Sequence, residues 1–187
     1  MNTTKQNTVK QIAPLAILLV LTAGAANAQE MMSHENMDHS AHQNKHGSDA
    51  DQKAVRQTVD ALFDAMRTSD SEAFSALFHE QARLMSTGTR NGQPFLAQTD
   101  LAQFAESVAD AERGSLDERI WDVMIQINGT LATAWTPYAF YHNGNFSHCG
   151  VNAFHLIASP DGWKILQITD TRQQEGCEIP ESVQNGD

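Results

Sequence analysis

From Asp51 the apolar residues recur at helical spacing. Val55, Val59, Leu62, Phe63 and Met66 share one face, separated by polar positions. Thr68-Ser69-Asp70 breaks the pattern, and Ser69 with Glu72 has the spacing of a capping box for a short second helix carrying Phe74, Leu77 and Phe78. Arg83 to Ser86 reads as a short strand, followed by a Gly/Asn/Pro turn region through Pro94. Asp100 with Gln103 caps a third helix whose face is Leu101, Phe104, Ala105 and Val108, closed by Gly114. Beyond Leu116 the chain alternates as strands over 117–127, 130–142, 145–158 and 163–172. Asn128-Gly129 and Asn143-Gly144 are hairpin dipeptides that tolerate positive φ, and Ser159 to Gly162 suits a type I turn. The predicted class is α+β: three N-terminal helices packed on a curved, mostly antiparallel sheet.

The turns also fix a register. Asn143-Gly144 pairs His142 with Asn145, and hence Trp135 with Asn152; Asn128-Gly129 places Asp122 opposite Trp135; the last turn places Asn152 opposite Asp170. Directly opposed residues point to one face, so Asp122, Trp135, Asn152 and Asp170 form a row edged by His148, Phe154, Met124 and Ile168. The other face carries Trp121, Val123, Ile125, Ala132, Ala134, Val151, Ala153, Trp163 and Ile165. A one-residue bulge would exchange the two faces beyond it.

Composition alters this picture mainly at the N-terminus. Lys5, Lys10, the apolar run Ile12 to Leu21 and Ala26-Asn27-Ala28 predict an export signal over 1–28. The run is shorter than the roughly 20 residues of a membrane span, so no membrane association is expected after cleavage. Residues 29–50 read as a disordered linker rich in Met and His. His34, Met37, His39, His42 and His46 are its candidate metal ligands, with copper the metal that thioether and imidazole donors suit; the competing reading is a solvated polar leader. The folded domain is expected over 51–175 and a tail over 176–187. Across 187 residues, 12 Lys and Arg face 23 Asp and Glu, a net charge of -11. That excess argues against a nucleic-acid partner, which needs clustered cations. No phosphate-binding Gly loop, nucleophile elbow or Cys-x-x-Cys occurs, which removes nucleotide hydrolysis, dinucleotide redox chemistry and serine hydrolysis.

The order of elements resembles the nuclear-transport-factor-2-like superfamily, with its SnoaL-like polyketide cyclases and ketosteroid isomerases. The residues that carry the resemblance are Ser69 to Phe74, the hairpin Ala134-Trp135 through Phe154, and Asp161-Gly162-Trp163-Lys164-Ile165. Phe146-Ser147-His148-Cys149-Gly150 and Asp170-Thr171-Arg172 look closest to an exported, lumazine-binding-like branch. The resemblance implies a cone-shaped α+β barrel with an internal cavity, often dimerising through the outer sheet face. It also implies a last-strand carboxylate that takes a proton from substrate carbon, and Asp170 is its match. His148 is the second catalytic candidate, as a group polarising a carbonyl or holding the carboxylate. Asp122, Trp135, Asn152, Phe154, Tyr141 and Arg172 are the ligand-binding candidates. The first helix carries Val59, Leu62 and Phe63 where ketosteroid isomerases have an oxyanion-donor Tyr.

Two functions compete. One is an exported domain that binds a small, largely apolar organic ligand in a cone cavity without a cofactor, either as a binder alone or as an acid–base isomerase or cyclase. The other is a periplasmic copper-binding protein working through the Met/His leader, with the cone as carrier or dimeriser. A homodimer is expected from the apolar outer face. Cys149 and Cys177 make an even count in an exported chain, which favours an intrachain disulfide, with Gly176 turning the tail back. The alternatives are a buried free Cys149 with a frayed Cys177, or an intermolecular bridge through Cys177.

Overall fold

A computed structural model describes residues 47–186 of the chain. The expected export signal and the candidate ligands His34, Met37, His39, His42 and His46 lie outside the described residues.

The first helix, α1 (Asp49–Thr68), starts two residues inside the expected linker. Ser48 caps it by a reciprocal capping box with Asp51. Its predicted face is buried, with Val55 and Val59 fully enclosed. Ser69 does not cap the next helix; it ends α1 in a left-handed conformation (φ 57°). Asp70 caps α2 (Ser71–Ala76) instead, accepting from the Ala73 amide.

A long hairpin follows where a short strand and a turn region were expected. β1 (Phe78–Arg90) and β2 (Gln93–Thr99) pair antiparallel about Asn91-Gly92, whose φ values of 52° and 74° give the mirror-image turn that an Asn-Gly dipeptide favours. α3 (Leu101–Asp110) is capped by Asp100 as predicted. The last stretch folds as β3 (Leu116–Ile120), β4 (Met124–Asn128), β5 (Leu131–His142), β6 (Asn145–Ser159) and β7 (Gly162–Thr171). The expected strand over 117–127 is therefore two strands, broken where Asp122 takes a φ of 44°. The seven strands form one curved, unclosed sheet in the order β2-β1-β7-β6-β5-β3, with β4 also pairing with β5. β1 joins β7 in parallel, and all other pairs are antiparallel. Phe63 of α1 meets Phe154 of β6 edge-on at 6.2 Å, and Ala132, Ala134, Leu156, Trp163 and Ile165 complete the core between helices and sheet.

Two bulges correct the predicted faces. Beyond the Asn143-Gly144 turn the β5–β6 register slips by one residue at Ser147, so Thr136, not Trp135, lies opposite Asn152. Every β5 side chain beyond that point exchanges faces: Ala132 and Ala134 enter the core, while Trp135 and its β4 partner Met124 turn outward, 48% and 60% exposed. In β7 the turn is one residue tighter than expected, pairing Ser159 with Gly162, and a bulge after Ile165 restores the pairing of Asn152 with Asp170. Trp163 and Ile165 consequently belong to the core and not to the outer face.

The tail folds back along the outer side of the sheet. Cys149 and Gln173 exchange two backbone hydrogen bonds of 2.9 Å, and Cys149 is joined to Cys177 by the expected intrachain disulfide. A short α4 (Glu181–Asn185) ends on Arg119 of β3, whose Nη1 donates to the carbonyls of Val183 (2.9 Å) and Gln184 (2.8 Å). No helix among the described residues is long and apolar enough to cross a membrane.

Candidate functional site

Between α1, α2, α3 and the concave face of the sheet lies a cavity of about 90 Å³. Its inner wall is apolar, with Leu62, Phe63, Phe74, Phe104, Phe154 and Ile168. Its polar groups come from β1, β2, β3, β5, β6 and β7 and from Arg172 just beyond β7.

The predicted residues divide cleanly. Asp170, His148, Asn152, Phe154 and Arg172 all line this cavity. Trp135 does not, because of the Ser147 bulge. Asp122 is exposed at the break between β3 and β4. Tyr141 lies before the register slip and faces outward, its ring edge-on to Phe146 and covered by the Arg119 guanidinium at 4.2 Å.

Three groups absent from the predicted set complete the site: Glu118, Tyr138 and Ser86. Glu118 stands on β3 between Leu116 and Ile120, which both pack on the core, so its carboxyl is carried inward by the strand's period of two. That Leu-x-Glu-x-Ile alternation was its sequence signal. Tyr138 follows Ala132, Ala134 and Thr136 on the inward face of β5. Ser86 reaches the site only because β1 lies parallel to β7 and opposite Asp170, a long-range pairing with no local signature.

Asp170 is fully engaged by the protein. The Ser86 hydroxyl donates to its Oδ1 and Arg172 Nε donates to its Oδ2, each at 2.5 Å. The Tyr138 hydroxyl lies 3.4 Å from Oδ2 but donates its proton to the Thr171 carbonyl at 2.9 Å. That carbonyl comes so close to β6 that a Cβ on Gly150 would sit 1.9 Å from it, so the absent side chain is what lets β7 approach here. Burial, with the Glu118 and Asp170 carboxylates, pushes the Tyr138 phenol far above its ordinary range, which keeps it a hydrogen-bond donor.

Glu118 is held differently. One oxygen, Oε1, accepts from Asn152 Nδ2 at 2.7 Å; the carboxyl makes no other hydrogen bond among the described residues. Burial raises its pKa to about 7; Asp170 adds to the rise, while the Asn152 hydrogen bond and Arg172 oppose it. His148 stacks edge-on to Tyr138 and has Nδ1 3.0 Å from the Ser147 hydroxyl. Burial and the nearby Arg172 lower its pKa against the pull of Asp170, leaving a neutral imidazole at pH 7.

The arrangement thus pairs a carboxyl poised near neutrality with a fixed ion pair, a phenol, a neutral imidazole and an apolar wall. Such a set can hold a small molecule and exchange a proton with it. Among the described residues no group of three or more His, Cys, Asp or Glu is placed to hold a metal ion.

Comparison with known proteins agrees with this fold. A nuclear-transport-factor-2-like protein with a cystatin-like fold from Novosphingobium aromaticivorans superposes with a TM-score of 0.51 at 17% identity, over 69% of this chain and 85% of that one. A protein from the same organism described as a putative scytalone dehydratase gives 0.53 at 14%, over 70% and 90%. A putative dehydratase of the family from Streptomyces avermitilis gives 0.50 at 18%, over 67% and 98%. At these identities the likeness shows the fold. No curated protein matches the chain in sequence. The family model described as "putative lumazine-binding" matches residues 50–169, which span α1 to β7. The chain belongs to that family, and its fold is the one seen in the nuclear-transport-factor-2-like structures.

Proposed function

We propose that this domain binds a compact organic molecule in the cavity and moves a proton on it through Glu118, as an isomerase or dehydratase does. The observation that carries the reading is the Glu118 carboxyl: it lines the cavity, partly buried, is oriented by Asn152 through one oxygen only, and is pushed up to about 7 by burial. An acid–base group works best when its pKa lies near the working pH. The Asp170 carboxylate was the first candidate from sequence, but its partners Ser86 and Arg172 favour a fixed anchoring role. Tyr138, its proton committed to the Thr171 carbonyl, packs edge-on against the neutral imidazole of His148 and braces that side of the cavity. Two structural neighbours are described as dehydratases, which fits this class of chemistry.

The test has two parts. Carbon-13 NMR of labelled glutamate should show one carboxyl titrating near pH 7, lost in Glu118→Gln. Compact ketones incubated with the protein in deuterium oxide should exchange their α-protons, and Glu118→Gln should slow the exchange by about 100-fold or more, the usual worth of a positioned base. A Glu118 midpoint between 4 and 5 would remove the reading.

The disulfide supports export, since such bridges persist in oxidising compartments. A homodimer is the companion proposal, now seated on the corrected outer face with Trp135 and Met124 exposed side by side. Sedimentation at micromolar concentration is expected to give two chains, and Trp135→Glu one, with the fold retained. A wild-type monomer would end the dimer proposal.

A further inference from the structure

We infer that the cavity's ligand is a compact organic carboxylate, its apolar body against the aromatic wall and its carboxylate on the terminal nitrogens of Arg172. This rests on the ligand-binding reading above and adds to it the class of molecule bound.

A guanidinium has five N–H donors in a planar fork. In Arg172 only Nε is used within the protein, on Asp170 Oδ2. Among the described residues neither terminal nitrogen has an acceptor, so the Nη1 and Nη2 edge, which receives a carboxylate in bidentate fashion, stays open. The side chain is half exposed and lines the cavity, whereas Asp170 is buried, so the fork stands at the open side of an apolar chamber. Asp170 fixes its position in advance, which spares the ligand the cost of ordering a long side chain.

The charges around it fit an anion. Asp170, Glu118, Tyr138 and His148 face Arg172. Asp170 is paired with Arg172 itself, Tyr138 stays a neutral phenol, and His148 is neutral at pH 7. Glu118 is uncharged below about 7. Below about pH 7 a cationic ligand would find no unpaired carboxylate there. A neutral carbonyl could accept from the Arg172 fork, but without the charge and the bidentate match of a carboxylate it would gain less from it. Above neutrality the ionised Glu118 would repel the bound carboxylate, so affinity should fall as pH rises and the ligand should in turn favour the protonated acid.

Isothermal titration of the mature protein with benzoate and 3-methylbutanoate, each against its own amide, tests this near pH 6. Each acid is expected to bind about tenfold or more tighter than its amide, the worth of roughly 1.4 kcal/mol. Arg172→Lys keeps a cation beside Asp170 but lacks the fork. It should lose the preference for acids while its amide affinity stays unchanged. Glu118→Gln should keep the preference and abolish its decline between about pH 6 and 8.5. Equal binding of acids and amides by the wild type, or a preference that survives Arg172→Lys, would overturn the assignment and leave the cavity reading standing. Binding of neither class would overturn both.

Discussion

Cys177→Ser is expected to lower the unfolding free energy by roughly 3–4 kcal/mol. The bridge joins positions 28 residues apart, and closing a loop of that size removes about this much conformational entropy from the unfolded chain. The native side of the balance adds little beyond that, because the tail is tied by other means. Gln173 pairs with Cys149 through the backbone, and Arg119 holds the carbonyl end of α4. The free Cys149 left behind is buried between Ala139 and the tail, where a thiol is tolerated as a small apolar group. Urea denaturation under oxidising conditions should therefore show a lower midpoint with little change in slope. Wild type with reductant should fall on the same curve as the variant. A variant within about 0.5 kcal/mol of wild type, the range of an indifferent surface change, would show that the bridge constrains nothing that matters.

The disulfide was legible because it needed only an expected export signal, an even cysteine count and a turn at Gly176. The candidate site was legible in part, and the dividing line is physical. Turn dipeptides are local, so the α1 face, the Asp100 cap and the Asn143-Gly144 hairpin were all read correctly. Asn152 opposite Asp170 was right as well, though by two offsets that cancel: a tighter turn and the bulge after Ile165. Bulges answer to the curvature of the whole sheet and leave no dependable mark in a single strand. The extra residue at Ser147 reversed β5, sending Trp135 out and bringing Thr136 and Tyr138 in.

Glu118 was missed for a related reason. Counting backward from the Asn128-Gly129 turn runs through the break at Asp122, where a φ of 44° ends strand alternation. That turn is itself offset, pairing Asn128 with Leu131. The alternation Leu116, Glu118, Ile120 was visible in the chain, but an acid between two inward apolar residues is informative only once β3 is known to end at Ile120. Ser86 needed the parallel contact between β1 and β7, which joins the first strand of the chain to the last. The site is thus assembled by the least local features of the fold, while the scaffold follows from the most local ones.

The pH dependence of stability offers a measure of Glu118 that needs no ligand. Its carboxyl titrates near 7 in the fold and near 4.5 in an unfolded chain, because burial disfavours the charged form. Between those values the folded state holds a proton that the unfolded state has released, so stability falls as pH rises from about 4.5 to about 7. Above that window the full penalty applies, about 3 kcal/mol. Glu118→Gln keeps the oxygen that accepts from Asn152 and the volume of the side chain, but it cannot ionise. The variant is therefore expected to match wild type near pH 4 and to be more stable by about 3 kcal/mol near pH 8. Chemical denaturation of both proteins across this range checks it directly. If the two curves stay parallel from pH 4 to pH 8, Glu118 carries its charge at no cost, and it is then neither enclosed nor poised for proton transfer. If they diverge, the protein gives up stability to keep an ionisable carboxyl against an apolar wall, which is what the proposed proton exchange with a bound molecule requires.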